Sequence, residues 1–333
     1  MSSEPSVKRI GILTSGGDAP GMNAAIRGAV RTAQCLGIEC VGIRRGYAGL
    51  INGDFLPLGE KDVKGITKQG GTMLYTARSV EFTTEEGLKR AADTCTHMGI
   101  EGLVVIGGDG TFKGARDLSK RGINVVGVPC TIDNDIGCSS YTIGFDTACN
   151  TAIEAVDRLS DTMQSHERCS VVEVMGHTTG YLALNVGIAT GATITLIPEV
   201  EYDFDKDVVG RIRTARLAGR THFTVIVAEG MEPVHSIADK INQATGIETR
   251  VTALGHVQRG GVPLMRDRVC ATSMGHKAVM LLASGQGNRI VAIDSDAIVD
   301  IDIDEALAMK KEFDFNLYKM FTALTFLDKD IIR

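Results

Sequence analysis

Thr131, Asp133 and Asp135 alternate within "VPCTIDNDIG" (residues 128–137), directly after a run of residues of the kind that are buried. In an extended chain residues i, i+2 and i+4 point to one side, so one hydroxyl and two carboxylates are expected to converge. Carboxylates that close resist joint ionisation, and only a nearby cation or metal would offset the repulsion. Either aspartate could then take the proton of a hydroxyl nucleophile as a general base. Asp, Asn and Gly are also common turn residues, but the apolar run before this segment and its one-sided pattern favour a site over a surface turn.

Two glycine-rich stretches supply what such a base would act beside. In "VVIGGDGTFKGA" an apolar strand runs into Gly107, Gly108, Asp109, Gly110 and Thr111 and then into a helical pattern. Glycines let phosphates approach the backbone, and Asp109 is a hard oxygen ligand of the kind that carries Mg²⁺ together with phosphate oxygens. The same aspartate could instead cap the following helix. "ILTSGGDAPGMN" has a similar strand–turn–helix form, which suits anion binding at a helix start. It matches neither the Walker A loop nor the dinucleotide fingerprint. Four cationic residues, Arg168, Arg250, His256 and Arg259, fall near the ends of apparent strands in "HERCSVVEVMGH" and "ETRVTALGHVQRGG". Arginine forks suit phosphate, although any one of them alone could be a surface ion-pair residue.

The elements that must position these residues alternate along the chain. Strand patterns at "VKRIGILT", "IECVGIRR", "EGLVVIGG" and "INVVGVP" are separated by helical patterns such as "MNAAIRGAVRTAQCLG", "EEGLKRAADTCTHMG" and "TFKGARDLSKRG". The same grammar resumes in "NTAIEAVDRLSDTMQSH", "RCSVVEVMG", "TGYLALNVGIATG", "ATITLIPEV", "KDVVGRIRTARLAG" and "HFTVIVAEG". Such alternation predicts an α/β fold with mainly parallel sheets covered by helices. At 333 residues the length suggests two Rossmann-like three-layer α/β/α lobes, with ligands at the carboxyl ends of the strands. Glycine is abundant, 39 residues without a collagen-like period, which fits many tight turns and close ligand approaches.

Composition excludes several functions. A net charge of −6 with no block of Lys and Arg argues against nucleic acid or an anionic membrane as partner. No apolar stretch reaches the roughly 18 residues of a membrane span, and "MSSEPSVKRIG" lacks the basic start and apolar core of a signal peptide. Eight scattered cysteines without a CxxC pair read as reduced cytosolic thiols. The expected location is the cytoplasm.

Taken in order, "ILTSGGDAPGMNAAIRGAVR", "GGDGT", "TIDNDI", "SVVEVMG" and "LGHVQRGG" closely resemble the bacterial-type ATP-dependent 6-phosphofructokinases over nearly the whole chain. The resemblance implies transfer of the γ-phosphoryl group of ATP to the 1-hydroxyl of fructose 6-phosphate, with Mg²⁺. It makes Asp133 the general base and Asp109 the Mg²⁺-site residue. Gly17, Tyr47, Arg78 and Gly108, Asp109, Gly110 and Thr111 match nucleotide-site positions. Thr131, Asp133 and Asp135 match the sugar's reacting end, and Met175, Gly176 and Glu229 match other sugar contacts. Arg168, Arg250, His256 and Arg259 match positions that hold the sugar phosphate. Arg168 and Arg250 reach across a subunit boundary in the family, so a homotetramer with shared sites is implied. The implied division is a larger nucleotide-binding lobe, 1–143 plus 257–307, and a smaller sugar-phosphate lobe, 144–256 plus 308–333, with the active site in the cleft between them.

Departures from the family pattern carry their own expectations. Gly110 stands where pyrophosphate-using relatives have Asp, which favours ATP; Cys130 replaces the usual glycine and could be oxidation-sensitive if its thiolate were favoured. His177 takes the place of an arginine that helps stabilise the transferring phosphoryl group, so its contribution would be weaker or more pH-dependent. Arg27 and Arg31 match the inter-subunit effector site, but Glu60, Ser160, Thr193 and Ala218 replace other charged residues there, so control by anionic effectors should be weak or altered. The competing readings are a pyrophosphate-dependent kinase, an NAD or lipid kinase with a GGDGT-like loop, and a non-catalytic sugar-phosphate-binding protein.

Overall fold

The computed structural model describes residues 4–326 and divides into two compact units. The first runs up to Thr147 and includes Arg259–Lys311; the second is Ala148–Gln258 with the residues from Glu312 onward. The chain therefore crosses after residues 147, 258 and 311, where crossings after 143, 256 and 307 were expected.

The chain enters the first unit through strand β1 (Arg9–Thr14), helix α1 (Met22–Cys35), β2 (Glu39–Ile43), α2 (Gly46–Asn52) and β3 (Phe55–Leu58). Next come α3 (Glu85–His97), β4 (Gly102–Gly107), α4 (Asp109–Ser119) and β5 (Asn124–Pro129), and then the long helix α5 (Phe145–His166). The second unit continues with β6 (Cys169–Val174), α6 (Tyr181–Ala189), β7 (Ile194–Leu196), a π-helical stretch at Phe204–Gly210, α7 (Arg211–Leu217), β8 (Phe223–Ala228), α8 (Val234–Thr245) and β9 (Thr249–Ala253). Helix α9 (Met265–Ala283), β10 (Arg289–Asp294), β11 (Ala297–Asp302) and α10 (Ile303–Ala308) return to the first unit, and α11 (Phe315–Phe326) belongs to the second.

The first sheet has the order β11-β10-β5-β4-β1-β2-β3. Its five inner strands are parallel, and only the edge pairs β2–β3 and β10–β11 are antiparallel. The second sheet, β7-β8-β6-β9, is parallel throughout. Strands such as Gly102–Gly107 and Phe223–Ala228 are buried along their full length, as parallel strands covered on both faces must be. In the first unit α1 and α9 approach with almost no gap. A Cβ on Gly28 would lie 2.5 Å from the Thr272 carbonyl oxygen, and one on Gly275 would lie 2.3 Å from that of Ala25.

Three element boundaries differ from the sequence reading. Helix α4 begins at Asp109, so the GDGT segment is its first turn and not a loop before it. Helix α5 starts at Phe145, not near residue 150, because a remote carboxylate caps it: Asp267 on α9 accepts hydrogen bonds from the backbone N–H groups of Gly144 (2.6 Å) and Thr147 (2.9 Å). The helix expected over residues 206–219 is split into π-helical and α-helical parts, with Asp203 accepting from Lys206 N–H at its start.

Candidate active site

Three neighbouring strands of the first sheet, β1, β4 and β5, deliver their loops to one carboxyl edge. The loops are stitched together by short contacts. Ser15 N–H donates to the Ile106 carbonyl (3.0 Å), Cys130 N–H to the Gly107 carbonyl (2.9 Å), and Thr111 Oγ1 to the Ser15 carbonyl (3.0 Å). Gly107 has to be glycine, since a Cβ there would sit 2.4 Å from the Ser15 oxygen. A Cβ on Gly108 would lie 3.9 Å from Thr131 Cβ, which puts the glycine turn against the aspartate segment. Gly17 faces the Arg259 guanidinium, and Arg259 Nη1 donates to the Asp18 carbonyl (3.2 Å). The structure thus brings together Gly17, Gly108, Thr111, Thr131 and Arg259.

Asp109, Tyr47 and Arg78 stand differently. Asp109 is exposed at the head of α4 with Lys113 Nζ 2.6 Å from its carboxylate. Tyr47 is buried behind the loop, where its ring stacks on Phe82 at 3.9 Å and its hydroxyl donates to the Thr111 carbonyl. Burial pushes the Tyr47 hydroxyl well above its ordinary pKa, so it stays a donor. Arg78 is exposed on the segment following Tyr75.

The aspartate segment is a turn, not the extended strand expected. Asn134 has φ +51°, so the i, i+2, i+4 argument does not describe Asp135. Thr131 and Asp133 still converge. Asp133 N–H donates to Thr131 Oγ1 and that hydroxyl donates to Asp133 Oδ2, both at 3.2 Å. Asp133 and Asn134 are only 7% and 8% exposed, so this is a buried turn and not a surface one. Its closing side is held by Thr142, whose hydroxyl donates to the Thr131 carbonyl at 2.7 Å.

The second unit gathers a separate set at the carboxyl edge of its sheet. Met175, Gly176 and His177 follow β6, Glu229 follows β8, and His256 lies in the short helical turn after β9. Glu229 Oε1 accepts from the backbone N–H groups of His177 (2.7 Å) and Gly176 (3.3 Å), so the acid fixes that loop. His177 itself is in the left-handed region, with φ +57° and its side chain exposed. Gln258, fully buried, accepts from Met175 N–H at 3.3 Å and donates to the Gly255 carbonyl at 3.1 Å.

Arg168 and Arg250 are at the other end of that sheet. Arg168 immediately precedes β6, and Arg250 is the second residue of β9, in register with Ser170. The length of β6, roughly 20 Å of strand, therefore separates Arg168 from Met175, and the rest of β9, roughly 13 Å, separates Arg250 from the turn that carries His256. Both pair with Glu248: Arg168 Nε donates to its Oε2 at 2.7 Å, and Arg250 engages its Oε1. The bond from Arg168, with the charge of both arginines, lowers the Glu248 carboxyl below its usual pKa.

The phosphofructokinase family profile matches residues 9–282 of the chain. The chain belongs to the phosphofructokinase family. Curated relatives named ATP-dependent 6-phosphofructokinase include one from Clostridium botulinum strain Hall, 52% identical over 319 residues covering 96% of this chain and 100% of the relative. Another, from Clostridium tetani, is 49% identical over 320 residues with the same coverage of both chains. Among solved structures, phosphofructokinase from Saccharomyces cerevisiae superposes with a TM-score of 0.89 at 32% identity, over 96% of this chain and 50% of that one. A pyrophosphate-dependent phosphofructokinase from Marinobacter aquaeolei shares the fold at a TM-score of 0.83 and 19% identity, over 93% of this chain and 86% of that one.

Two departures from the phosphofructokinase pattern take on a physical meaning. Cys130 is buried, and burial raises its thiol well above the ordinary value, with the charges of Asp267 and Asp18 adding to the effect. A thiol held protonated and shielded is unreactive, which counts against the oxidation sensitivity considered from sequence. Glu60 forms an ion pair with Arg31 at 2.7 Å, so the change to an acid both removes a cation and covers another. Arg27 is half-buried on α1, one turn before Arg31. Sequence reasoning missed Gln258 and Asp267. The first stands inside the quoted "LGHVQRGG", and the second carries no local signal, being an acid within an ordinary helix start.

Proposed function

We propose that the chain transfers the γ-phosphoryl group of ATP to the 1-hydroxyl of fructose 6-phosphate, giving fructose 1,6-bisphosphate and ADP. The observation that carries this reading is the contact of the glycine turn at Gly108 with the Thr131–Asp133 pair. A phosphate cradled by the first turn of α4 would lie beside a carboxylate suited to take a hydroxyl proton. The names of the near-full-length relatives support the same activity.

Phosphoryl transfer depends mainly on positioning and on stabilising charge. In this reading Asp133 accepts the proton of the attacking hydroxyl, and Thr131 holds that carboxylate through its own hydroxyl. The exposed N–H groups of the α4 start and the turn at Gly17 face the nucleotide phosphates, and Arg259, whose guanidinium lies against Gly17, keeps its assignment to the sugar phosphate. Asp109 suits Mg²⁺, because it is a hard, exposed carboxylate at the phosphate end of α4 whose partner is the exposed ammonium of Lys113; the ion would neutralise charge on phosphate oxygens. Tyr47 acts from behind, by holding the Thr111 carbonyl. Met175, Gly176, His177, Glu229 and His256 are assigned to the sugar, and Asp135 and Arg78 keep their assignments to the reacting end and the nucleotide.

ATP is favoured over pyrophosphate as donor because Gly110 leaves open space, with nothing within 4 Å of a Cβ built there. The position of Arg168 and Arg250 supports sites shared between subunits of a homotetramer, since one sheet cannot offer both its edges to one sugar phosphate. Among the described residues no helix is long and apolar enough to cross a membrane, and the cytoplasm is the proposed location. The deciding assay offers purified protein fructose 6-phosphate and Mg²⁺ with either ATP or pyrophosphate and measures bisphosphate. Product with ATP alone is expected; product with pyrophosphate alone, or with neither, would overturn the reading.

A further inference from the structure

The aspartate turn is held from behind by a residue that the sequence motifs do not include. Lys311 follows α10 and is the last residue of the first unit. Its ammonium donates to Asn134 Oδ1 (2.8 Å), to the Ser139 carbonyl (2.9 Å) and to the Ser140 carbonyl (3.2 Å). An ammonium has three N–H donors, and here three acceptors come from one loop, one at its middle and two at its end. The middle acceptor is the side chain of Asn134, the left-handed residue between Asp133 and Asp135. The segment leading to Lys311 is pressed against the same loop: a Cβ on Gly137 would lie 2.2 Å from the Met309 carbonyl oxygen.

We propose that Lys311 is a positioning residue for phosphoryl transfer, holding Asn134 in its left-handed turn so that Asp133 and Asp135 face the reacting groups, and supplying the positive charge behind them. The inference rests on the activity proposed above. Its logic is geometric. Asn134 Oδ1 also accepts from the Thr142 hydroxyl at 3.4 Å, and asparagine tolerates the left-handed region, so the turn can persist without the ammonium; what it loses is its shortest side-chain tether, and with it the fixed placement of its two acidic neighbours. The charge matters as well as the donors. Asp135 and Cys138 are the titratable groups that act on this ammonium, and Asp135 is the charged one. Burial lowers Lys311 from its ordinary value to about 8, against the opposing pull of Asp135 and Cys138. The cation is therefore present below that pH and is lost as pH rises through it.

The test compares wild type with Lys311→Met and Lys311→Arg, each checked for native assembly and thermal unfolding, using ATP and fructose 6-phosphate from pH 6.5 to 9.5. A misplacement on the scale of an ångström costs about 100-fold, so Lys311→Met should lower kcat roughly 10- to 100-fold with little change in KM for ATP. Lys311→Arg keeps the charge at every pH used. It should recover at least part of kcat and move the alkaline fall of kcat away from pH 8. Wild-type kcat in a folded Lys311→Met enzyme would overturn the proposal, as would an alkaline limb left unmoved in Lys311→Arg. Should Lys311→Met fail to fold, the limb in Lys311→Arg decides alone. A wild-type protein inactive with ATP would instead refute the proposed function.

Discussion

Asp133 is the residue on which the chemistry turns. It is nearly buried, and its carboxylate is fixed by the Thr131 hydroxyl, so replacing it by asparagine keeps shape and hydrogen bonding while removing the base. Loss of a positioned base costs about 10²- to 10⁴-fold, and kcat of Asp133→Asn should fall by that much while nucleotide binding, measured by calorimetry, is retained. Turnover within a few-fold of wild type would remove the assignment. At the same scale, the Glu60–Arg31 pair is exposed on both sides. Such pairs are worth about 0–1 kcal/mol, so Glu60→Ala should tighten the response to phosphoenolpyruvate or ADP by roughly two- to fivefold at most, starting from a weak wild-type response. Strong phosphoenolpyruvate inhibition of the unaltered protein would contradict this.

Elements place these residues, and how far they could be read from the sequence depended on where the stabilising contacts lie. Strands and helices with local signals were legible: an apolar strand ending in glycine, followed by a helical pattern, gives β4 and, apart from its first residues, α4. The extended form assigned to Thr131–Asp135 was wrong because alternation of polar and apolar residues is also compatible with a turn, and what imposes the turn is remote. Thr142 and Lys311 bond to it from 8 to 177 residues away. The start of α5 was missed for the same reason, since its capping carboxylate is about 120 residues distant on α9. Arg168, Arg250, His256 and Arg259 were singled out by residue type and Lys311 was not, and the strand edge that carries Arg168 and Arg250 depended on the register of β6 with β9, which composition does not encode. The glycine junction is testable at this scale. Gly107→Ala would push a methyl to 2.4 Å from the Ser15 carbonyl oxygen and 2.6 Å from Thr111 Oγ1, parting the loops of β1 and α4. The variant should fold, with kcat/KM for ATP reduced by about 100-fold and a smaller effect on fructose 6-phosphate; unchanged ATP kinetics would show that the junction does not set the phosphate site.

For the whole molecule, the separation of the second sheet's two edges makes a statement about assembly. Arg168 and Arg250 lie at its amino edge, while Met175, Glu229 and His256 lie at its carboxyl edge. A single sugar phosphate spans less than the roughly 13 to 20 Å of strand between them. If all these residues serve the sugar, the two arginines must serve a site whose Asp133 belongs to another copy, and their pairing with Glu248 within one chain is then a resting arrangement that the phosphate displaces. Oligomers with closed symmetry make such exchange reciprocal. Asp133→Asn and Arg250→Ala should each be nearly inactive as pure proteins, for independent reasons. Co-expressed in equal amounts with different tags and isolated as hybrids, they should regain activity, because a chain with intact Asp133 can receive Arg250 from a neighbour with intact Arg250. Random assembly completes about a quarter of the sites, so the hybrids should show about that fraction of wild-type kcat. Hybrids as inactive as their parents would place both residues in one chain's site and remove the argument for shared sites, leaving the proposed chemistry of the first unit untouched.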